Sequence, residues 1–300
     1  MIAKRIGIVT VLYKSDDVLP DFIESLSKQI AINYTLYIID NSPTDSGCLI
    51  SAKLTQNHGI DATIIFNNEN VGVAKGNNQG IELALKDGCD FILLANNDTE
   101  FSPNTISLLL ESLVKSGERV ATPKIMFHND PRLIWYCGGH INSWTMRVTH
   151  HDYLQVDCGQ YDHLKYVGYA PTCFMIFDSN VFREIGLMDE DYFVYYDDVD
   201  FVWRMKQKGI SISFVPKSVV HHKVSTSTGG ERTPFSVFYL SRNRIYFLRK
   251  HFKKFHLLLT LSFVLSSRLA RLGMLPRELS TAGLRGIKEG MQMKIGSPSK

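Results

Sequence analysis

The hydrophobic positions fall into short runs, and each run stops at a polar cluster. Ile6-Gly7-Ile8-Val9-Thr10-Val11-Leu12 predicts a buried strand ending at Tyr13-Lys14-Ser15. Asp16 or Asp17 can cap the helix that follows, where Leu19, Phe22, Ile23 and Leu26 recur at helical spacing. A second strand, Tyr34 to Ile39, stops at Asp40-Asn41-Ser42-Pro43, and a third, Ala62 to Phe66, stops at Asn67-Asn68-Glu69-Asn70. Val71-Gly72-Val73-Ala74-Lys75-Gly76-Asn77-Asn78-Gln79-Gly80 leads into a helix through Leu85. A fourth run, Phe91-Ile92-Leu93-Leu94-Ala95, has the pattern of a strand buried on both faces and ends in Asn96-Asn97-Asp98. Strands alternating with helices imply an α/β fold with a parallel sheet. Ligands bind beyond the carboxyl ends of such strands, so four polar strand ends mark a binding edge.

The second half is less regular. Val120 to Phe127 and Ile134 to Gly139 predict strands, and His140 to Lys165 reads as a loop-rich insertion. Gly186 to Arg204 packs aromatics around an acidic knot, with Asp197 and Asp198 at the start of a helix and Asp200 spaced i,i+4 from Arg204. Ile210 to Val215 predicts a strand before Pro216, and Val219-Val220-His221-His222 a further apolar run. Ser225 to Gly230 is a polar loop able to close over a phosphate. Arg242-Asn243-Arg244 opens a basic helix, and Phe255 to Ser267 forms an apolar one. That run is too short to span a bilayer, which takes about 20 residues. It suits either an interfacial helix on a membrane or a cap on the core.

Charge sharpens this division. The net charge of +3 conceals a tail from Arg242 with 13 Lys and Arg against two acids, and a body with 20 basic and 28 acidic groups. A basic tail favours an anionic membrane surface or nucleic acid. Nucleic acid is the weaker expectation, because it leaves the acidic body and its aligned strand ends unexplained. Five cysteines with no CxxC pair, and no leader-like stretch before Ile6, fit a reducing cytoplasmic location, at most peripheral to the membrane. At 300 residues and 44% hydrophobic, the chain can bury a sizeable core.

Candidate chemistry follows from the polar ends. Asp98 beside the amides of Asn96 and Asn97 can hold one edge of a hard divalent cation, or Asp98 or Thr99 can simply cap a helix. Adjacent Asp197 and Asp198 repel and are desolvated among aromatics, which raises a pKa and suits a general base; helix capping explains one acid but not two. The His221-His222 pair is either structural or metal-binding. Neither a GxGxxG nor a GxxxxGK[ST] motif occurs, which argues against a dinucleotide-binding dehydrogenase and a P-loop NTPase.

Taken in order, these motifs resemble the family-2 inverting glycosyltransferases of the GT-A fold, in particular the bacterial rhamnosyltransferase-like branch that builds surface polysaccharides such as O-antigen. The resemblance runs from Ile6 to about Phe252 and rests on Thr10-Val11-Leu12-Tyr13, Asp40-Asn41-Ser42, Asn70 to Ala74, Asn77 to Gly80 and Asn96 to Thr99. It continues through Met188-Asp189-Glu190, Tyr195 to Asp200 with Arg204, His222 and Arg242-Asn243. It implies an open twisted, mostly parallel sheet flanked by helices, with a C-terminal helical extension. The body would span 1–240, with a nucleotide-sugar half (about 1–125) and an acceptor half (about 126–240), and the basic extension 241–300.

The resemblance also implies roles. Thr10 and Asp40 would lie against the base and ribose, with Tyr13, Asn41, Asn70, Gly72, Ala74, Asn78, Asn96 and Asn97 completing the nucleotide-sugar site. Asp98 matches the last acid of a DxD metal motif whose first position is here Asn96, and His222 would complete the shell around Mg²⁺ or Mn²⁺. Asp198 matches the catalytic base, with Asp197 before it. The donor would be a nucleoside diphosphate sugar, dTDP-rhamnose by branch, and the acceptor a glycan or lipid-linked hydroxyl. A sugar-nucleotidyltransferase has a similar sheet but wants a glycine-rich basic loop after the first strand, which Tyr13 to Asp17 is not.

Overall fold

Uncharged runs of β-branched and leucine residues make the central strands, and the polar clusters between them set where each strand stops. The computed structural model describes residues 4–142, 144–223, 233–269 and 276–296. The chain runs β1 (Arg5–Leu12), α1 (Leu19–Ser27), β2 (Asn33–Asp40), α2 (Ser46–His58), β3 (Ala62–Phe66), α3 (Val73–Lys86), β4 (Phe91–Ala95), β5 (Thr99–Phe101), α4 (Thr105–Ser116) and β6 (Val120–Phe127). It continues through β7 (Ile134–Tyr136), β8 (Gly139–Ile141), β9 (Val148–His150), β10 (Tyr166–Val167), β11 (Phe174–Asp178), α5 (Asn180–Ile185), a 3-10 turn (Glu190–Tyr192), α6 (Asp197–Gln207) and β12 (Ile212–His222). It closes with α7 (Pro234–His251), α8 (Lys254–Leu269) and α9 (Arg277–Gln292).

One mixed sheet carries the order β10-β12-β6-β11-β4-β1-β2-β3, with β5 paired to β12 and β7 to β6, while β8 and β9 form a separate hairpin. The β4-β1-β2-β3 half is parallel throughout, so the polar ends of β1, β2 and β4 emerge at the same edge. β11 runs antiparallel between β4 and β6 and joins this half to the parallel β6–β12 pair. Ile6, Ile8 and Val9 of β1 and Ile92 and Leu93 of β4 are wholly buried, which puts the sheet centre at the middle of the core.

Several local expectations change. Neither Asp16 nor Asp17 caps α1: Val18 holds that position with no side-chain cap, and Asp16 instead accepts from the Ser46 hydroxyl. Asp98 and Thr99 cap no helix either, because Thr99 to Phe101 pairs antiparallel with β12 and α4 begins only after Asn104. The two apolar runs around Pro216 are one strand, β12, with a register shift between Val215 and Val219. The basic helix opens at Pro234 rather than Arg242, with Thr233 and Ser236 forming a reciprocal cap, and so runs through the 240/241 boundary. The insertion is loop-rich as expected. Lys124, 4% exposed, ties it to the sheet through Asp157 at 2.7 Å and Asp162 at 2.5 Å. The polar loop Ser225 to Gly230 lies outside the described residues.

The C-terminal helices are built into the fold. Ile245, Tyr246, Phe247 and Leu248 of α7 are wholly buried in the core cluster that also contains the sheet residues. α9 lies close on α7, since a Cβ at Gly290 would come within 2.4 Å of the Arg242 carbonyl oxygen. Among the described residues no helix is long and apolar enough to cross a membrane.

Candidate active site

Two clusters converge from distant parts of the sequence. The first is the end of β4. Pairing of β5 with β12 sets Thr99 opposite His222, and the register brings His222 Nε2 to 3.1 Å from Asp98 Oδ1. Both side chains are nearly buried, Asp98 at 8% and His222 at 7% exposure. Burial alone would raise the Asp98 pKa, but His222, backbone hydrogen bonding and the Lys223 charge overcome it and hold the carboxyl below its ordinary range. His222 Nδ1 is buried without a hydrogen-bond partner, while the ring meets Trp135 edge-on at 4.6 Å. An ionised carboxylate beside an imidazole with a free buried nitrogen suits a divalent cation, with the remaining positions left to ligand oxygens. No group of three His, Cys, Asp or Glu gathers among the described residues to hold a metal unaided.

The other strand-end residues divide into two kinds. Thr10 is wholly buried with its hydroxyl unpartnered, and Tyr13 is half-buried with the Lys14 ammonium 5.4 Å from its ring centre. Asn96 is exposed and lines a cavity. The rest tie the scaffold together. Asp40 is wholly buried, accepting from Ser42 N at 2.8 Å and from the Cys48 thiol at 3.5 Å. Asn41 donates to the Gly72 carbonyl and accepts from Asn67, and Asn70 accepts from Gly72 N. Asn97 donates to Val11 O at 2.9 Å and Ser15 Oγ at 3.0 Å. Ala74 is buried. Asn78 engages both ends of its amide, exchanging hydrogen bonds with the Met188 backbone and donating to Glu190 at 2.9 Å.

The Asn78 bonds matter because they carry the start of α3 to the acidic stretch. Gly72 makes the same junction: its φ is +88°, and a Cβ there would lie 2.7 Å from the Phe193 carbonyl oxygen. Val73 N donates to that oxygen at 2.6 Å.

The second cluster is the acidic knot at the start of α6. Three aromatic residues just before or at its start have positive φ: Phe193 (63°), Tyr195 (62°) and Tyr196 (68°). Such conformations cost about 1–3 kcal/mol each and persist only where neighbours over-determine them. The neighbours are Arg242 and Asn243. Asn243 Nδ2 lies within reach of the carbonyls of Tyr192 (2.8 Å), Val194 (2.7 Å) and Tyr195 (2.8 Å). Arg242 Nη2 donates to Asp191 O at 2.7 Å and Tyr192 O at 2.9 Å. The sequence placed both on a basic helix, and periodicity carried no sign of this clamp.

The three acids then separate by environment. Asp200 is wholly buried among Arg204 (2.8 Å), Lys250 (2.8 Å), His251 (2.7 Å) and the Tyr192 hydroxyl (3.1 Å). Desolvation opposes its ionisation, but these partners win and hold its carboxyl far below the usual range. The expected Asp200–Arg204 pair is therefore one part of a larger network. Burial, and then the charge of Asp198, pushes Asp197 up to about 8. Burial raises Asp198 too, while the Tyr169 hydroxyl and Val199 N, at 2.7 Å, donate to its carboxylate and favour the anion. Both acids are thus pushed up by burial, and hydrogen-bond donors from Tyr169 and Val199 stabilise the Asp198 anion.

Asp197, Asp198, Asn96 and His222 all line one cavity of about 910 Å³. Trp135 of β7, His150 of β9 and Tyr169, just after β10, line it as well. None of the three stands out in the sequence: Trp135 sits in a short predicted strand, and His150 in an insertion without periodicity.

The chain's relatives agree with this architecture. Residues 7–186, more than half of the chain, match the family model described as Glycosyl transferase family 2. A low-salt glycan biosynthesis hexosyltransferase, Agl10 of Haloferax volcanii, is 27% identical over 214 residues, covering 69% of this chain. The chain spans 63% of that relative's own length. Among solved structures, S. aureus TarS 1–349 in complex with UDP superposes with a TM-score of 0.58 at 15% identity, over 96% of this chain and 80% of that one. The mannosyltransferase PcManGT of Pyrobaculum calidifontis, in complex with GDP-Man and Mn²⁺, gives 0.58 at 10% identity over 97% and 88%. The strand order, the sheet edge lined with polar ends and the family match lead to one assignment: the chain has the GT-A fold and belongs to glycosyl transferase family 2.

Proposed function

We propose that the chain is an inverting glycosyltransferase that moves a sugar from a nucleoside diphosphate sugar to the hydroxyl of a glycan or lipid-linked acceptor in surface polysaccharide synthesis. The observation that carries this reading is the sharing of one cavity by Asp198, a base held ready by Tyr169 and Asp197, and by His222, the partner of Asp98. dTDP-rhamnose is the first donor to try. Thr10, with an unpartnered buried hydroxyl, Tyr13 and the exposed Asn96 are the strand-end groups with capacity left for a nucleotide.

The chemistry follows from these groups. The acceptor hydroxyl attacks the anomeric carbon on the face opposite the diphosphate. The new C–O bond forms as the bond to the phosphate oxygen breaks, and that oxygen leaves with the electron pair. Asp198 takes the hydroxyl proton in the same step, which makes the acceptor oxygen a competent nucleophile. Tyr169 and Val199 N orient the carboxylate through the transfer. Asp98 and His222 would hold Mg²⁺ or Mn²⁺, which when bound neutralises charge on the diphosphate.

The test is a panel of nucleotide sugars (dTDP-rhamnose, UDP-, GDP- and dTDP-hexoses) with Mn²⁺, Mg²⁺ or EDTA, read as release of nucleoside diphosphate. Divalent-dependent hydrolysis of one donor, lost in Asp198→Asn, is the expected result. Binding and hydrolysis of none of them would refute the reading.

A further inference from the structure

Tyr169 lies outside any strand, just after β10, yet its hydroxyl meets the Asp198 carboxylate. A phenol turns about two side-chain torsions, so the place of its oxygen depends on what holds the ring. The residue is only 4% exposed. It stays a donor, because burial and the Asp198 charge push its pKa well above the ordinary tyrosine range.

The ring is held by the β8–β9 hairpin, which stands apart from the main sheet. The hairpin register sets His150 opposite Gly139. The Gly139 carbonyl accepts from Gly168 N at 3.0 Å, which stitches the residue before Tyr169 to the hairpin. A Cβ at Gly139 would lie 2.6 Å from the Thr149 carbonyl oxygen and 3.4 Å from Tyr169 Cδ1, so the close approach of strand and phenol needs glycine there. His150 then stacks on the phenol, with ring centres 5.9 Å apart and planes inclined by 29°.

His150 is itself fixed on its other sides. Its Nδ1 lies 3.1 Å from the Trp135 carbonyl, which can only accept, so that nitrogen carries the hydrogen. Trp135, Tyr136 and Tyr153 meet its ring edge-on at 5.4, 5.5 and 6.2 Å. Tyr136 also donates to the Tyr169 carbonyl at 2.7 Å, so one side chain braces both His150 and the Tyr169 backbone. β7, which carries Trp135 and Tyr136, is paired to β6 of the main sheet. Support therefore runs from the sheet through β7 to His150, then to Tyr169 and Asp198. Strand pairing holds Trp135 whether or not His150 is present, so the loss of His150 falls on Tyr169.

We propose that His150 is a positioning residue for the transfer: its ring holds the Tyr169 phenol so that the hydroxyl stays on the Asp198 carboxylate. This rests on the glycosyltransferase reading above and adds to it a residue that acts on the base through another side chain.

The test is a double-mutant cycle on kcat, with the nucleotide sugar of the panel above that the wild-type chain hydrolyses. Tyr169→Phe removes the hydroxyl alone and should lower kcat about tenfold or more, as befits a lost hydrogen bond to a charged group. His150→Ala should lower kcat about tenfold, with donor KM and affinity for the matching nucleoside diphosphate nearly unchanged. In the Tyr169→Phe background, His150→Ala should cost no more than about twofold further, because the hydroxyl it positions is already gone. His150→Phe keeps a flat ring against the phenol and should restore most of the turnover. His150→Asn keeps a donor for the Trp135 carbonyl without the ring, and should behave as the alanine variant does. The proposal is overturned if His150→Ala, shown by thermal melting to be folded, turns over as wild type does, or if the two effects multiply in the double variant. It is also overturned if His150→Ala raises donor KM and leaves kcat unchanged, which would make His150 a substrate contact. Where His150→Ala does not fold, His150→Phe must still exceed His150→Asn in kcat by about tenfold, and equal turnover in the two overturns the proposal. Hydrolysis with multiplicative effects removes this inference alone, whereas a wild-type chain that hydrolyses no donor removes the glycosyltransferase reading and this one with it.

Discussion

Replacing Asn243 by alanine isolates the clamp that holds the acidic knot. The side chain is wholly buried, and its amide is the partner of the Val194 and Tyr195 carbonyls. Each carbonyl left unsatisfied costs about 1–3 kcal/mol. Val194 and Tyr195 are only half-buried, so water can reach them and the lower end of that range applies, about 2–3 kcal/mol together. At about 2–4 °C per kcal/mol for a domain of roughly 200 residues, the melting temperature should fall by several degrees. The larger effect is local. Without the clamp, the positive-φ strain at Tyr195 and Tyr196 relaxes, and Asp197 and Asp198 follow the backbone directly after them. A displacement of about 1 Å at a reacting group costs on the order of 10²-fold in rate. Asn243→Ala should therefore cut turnover about a hundredfold in a protein that still melts cooperatively and still binds nucleotide. The assay is steady-state donor turnover alongside calorimetric nucleotide affinity and thermal melting. Turnover within about threefold of wild type, in a variant that has lost the expected stability, would refute the claim that the clamp positions the base.

Four further outcomes test the site. Asp198→Asn keeps shape but loses the basic lone pair, and should lower turnover about 10²–10⁴-fold with donor affinity nearly unchanged. Asp98→Ala should remove the gain in nucleoside diphosphate affinity that Mn²⁺ gives over EDTA; a retained gain would exclude Asp98 as a ligand. Asp200→Asn strands the Arg204 and Lys250 charges in the interior and should cost about 3–5 kcal/mol in denaturant unfolding, far more than exposed ion pairs such as Lys28–Glu24. Asp197 is raised to about 8 when folded, so the native state binds its proton more tightly, and this contribution declines as pH rises from about 4 toward 8. Asp197→Asn mimics the protonated form and should therefore raise the melting temperature more at pH 8 than at pH 5; an equal shift at both would contradict the raised pKa.

The parallel half of the fold was legible because its signal is local. β3 coincides with the run Ala62 to Phe66, and β4 with Phe91 to Ala95. α2 escaped because its buried positions, Gly47, Ser51 and Thr55, are small or polar and leave no apolar stripe to read. β12 looked like two segments because Pro216 interrupts the run, yet the strand continues past it through an irregularity in its pairing with β6.

The candidate site was legible in a different measure, because residue type does not say whom a polar group serves. Asn78 and Asn96 are the same residue type, one in α3 and the other just after β4. One engages both ends of its amide inside the protein, and the other stands exposed in the cavity. Only the fold separates them. The same holds for Asp198 and Asp200, two positions apart on one helix, whose pKa values move in opposite directions. Burial raises both, but only Asp200 has partners strong enough to overcome it, His251, 51 residues after it, with Arg204 and Lys250, whereas the Tyr169 bond, from 29 residues before Asp198, does not reverse the rise. Sequence spacing can place carboxylates at a helix start, but the charge each carries is set by groups that only the fold brings near. The loop after β10 and the end of α7 therefore set the surroundings of these two acids.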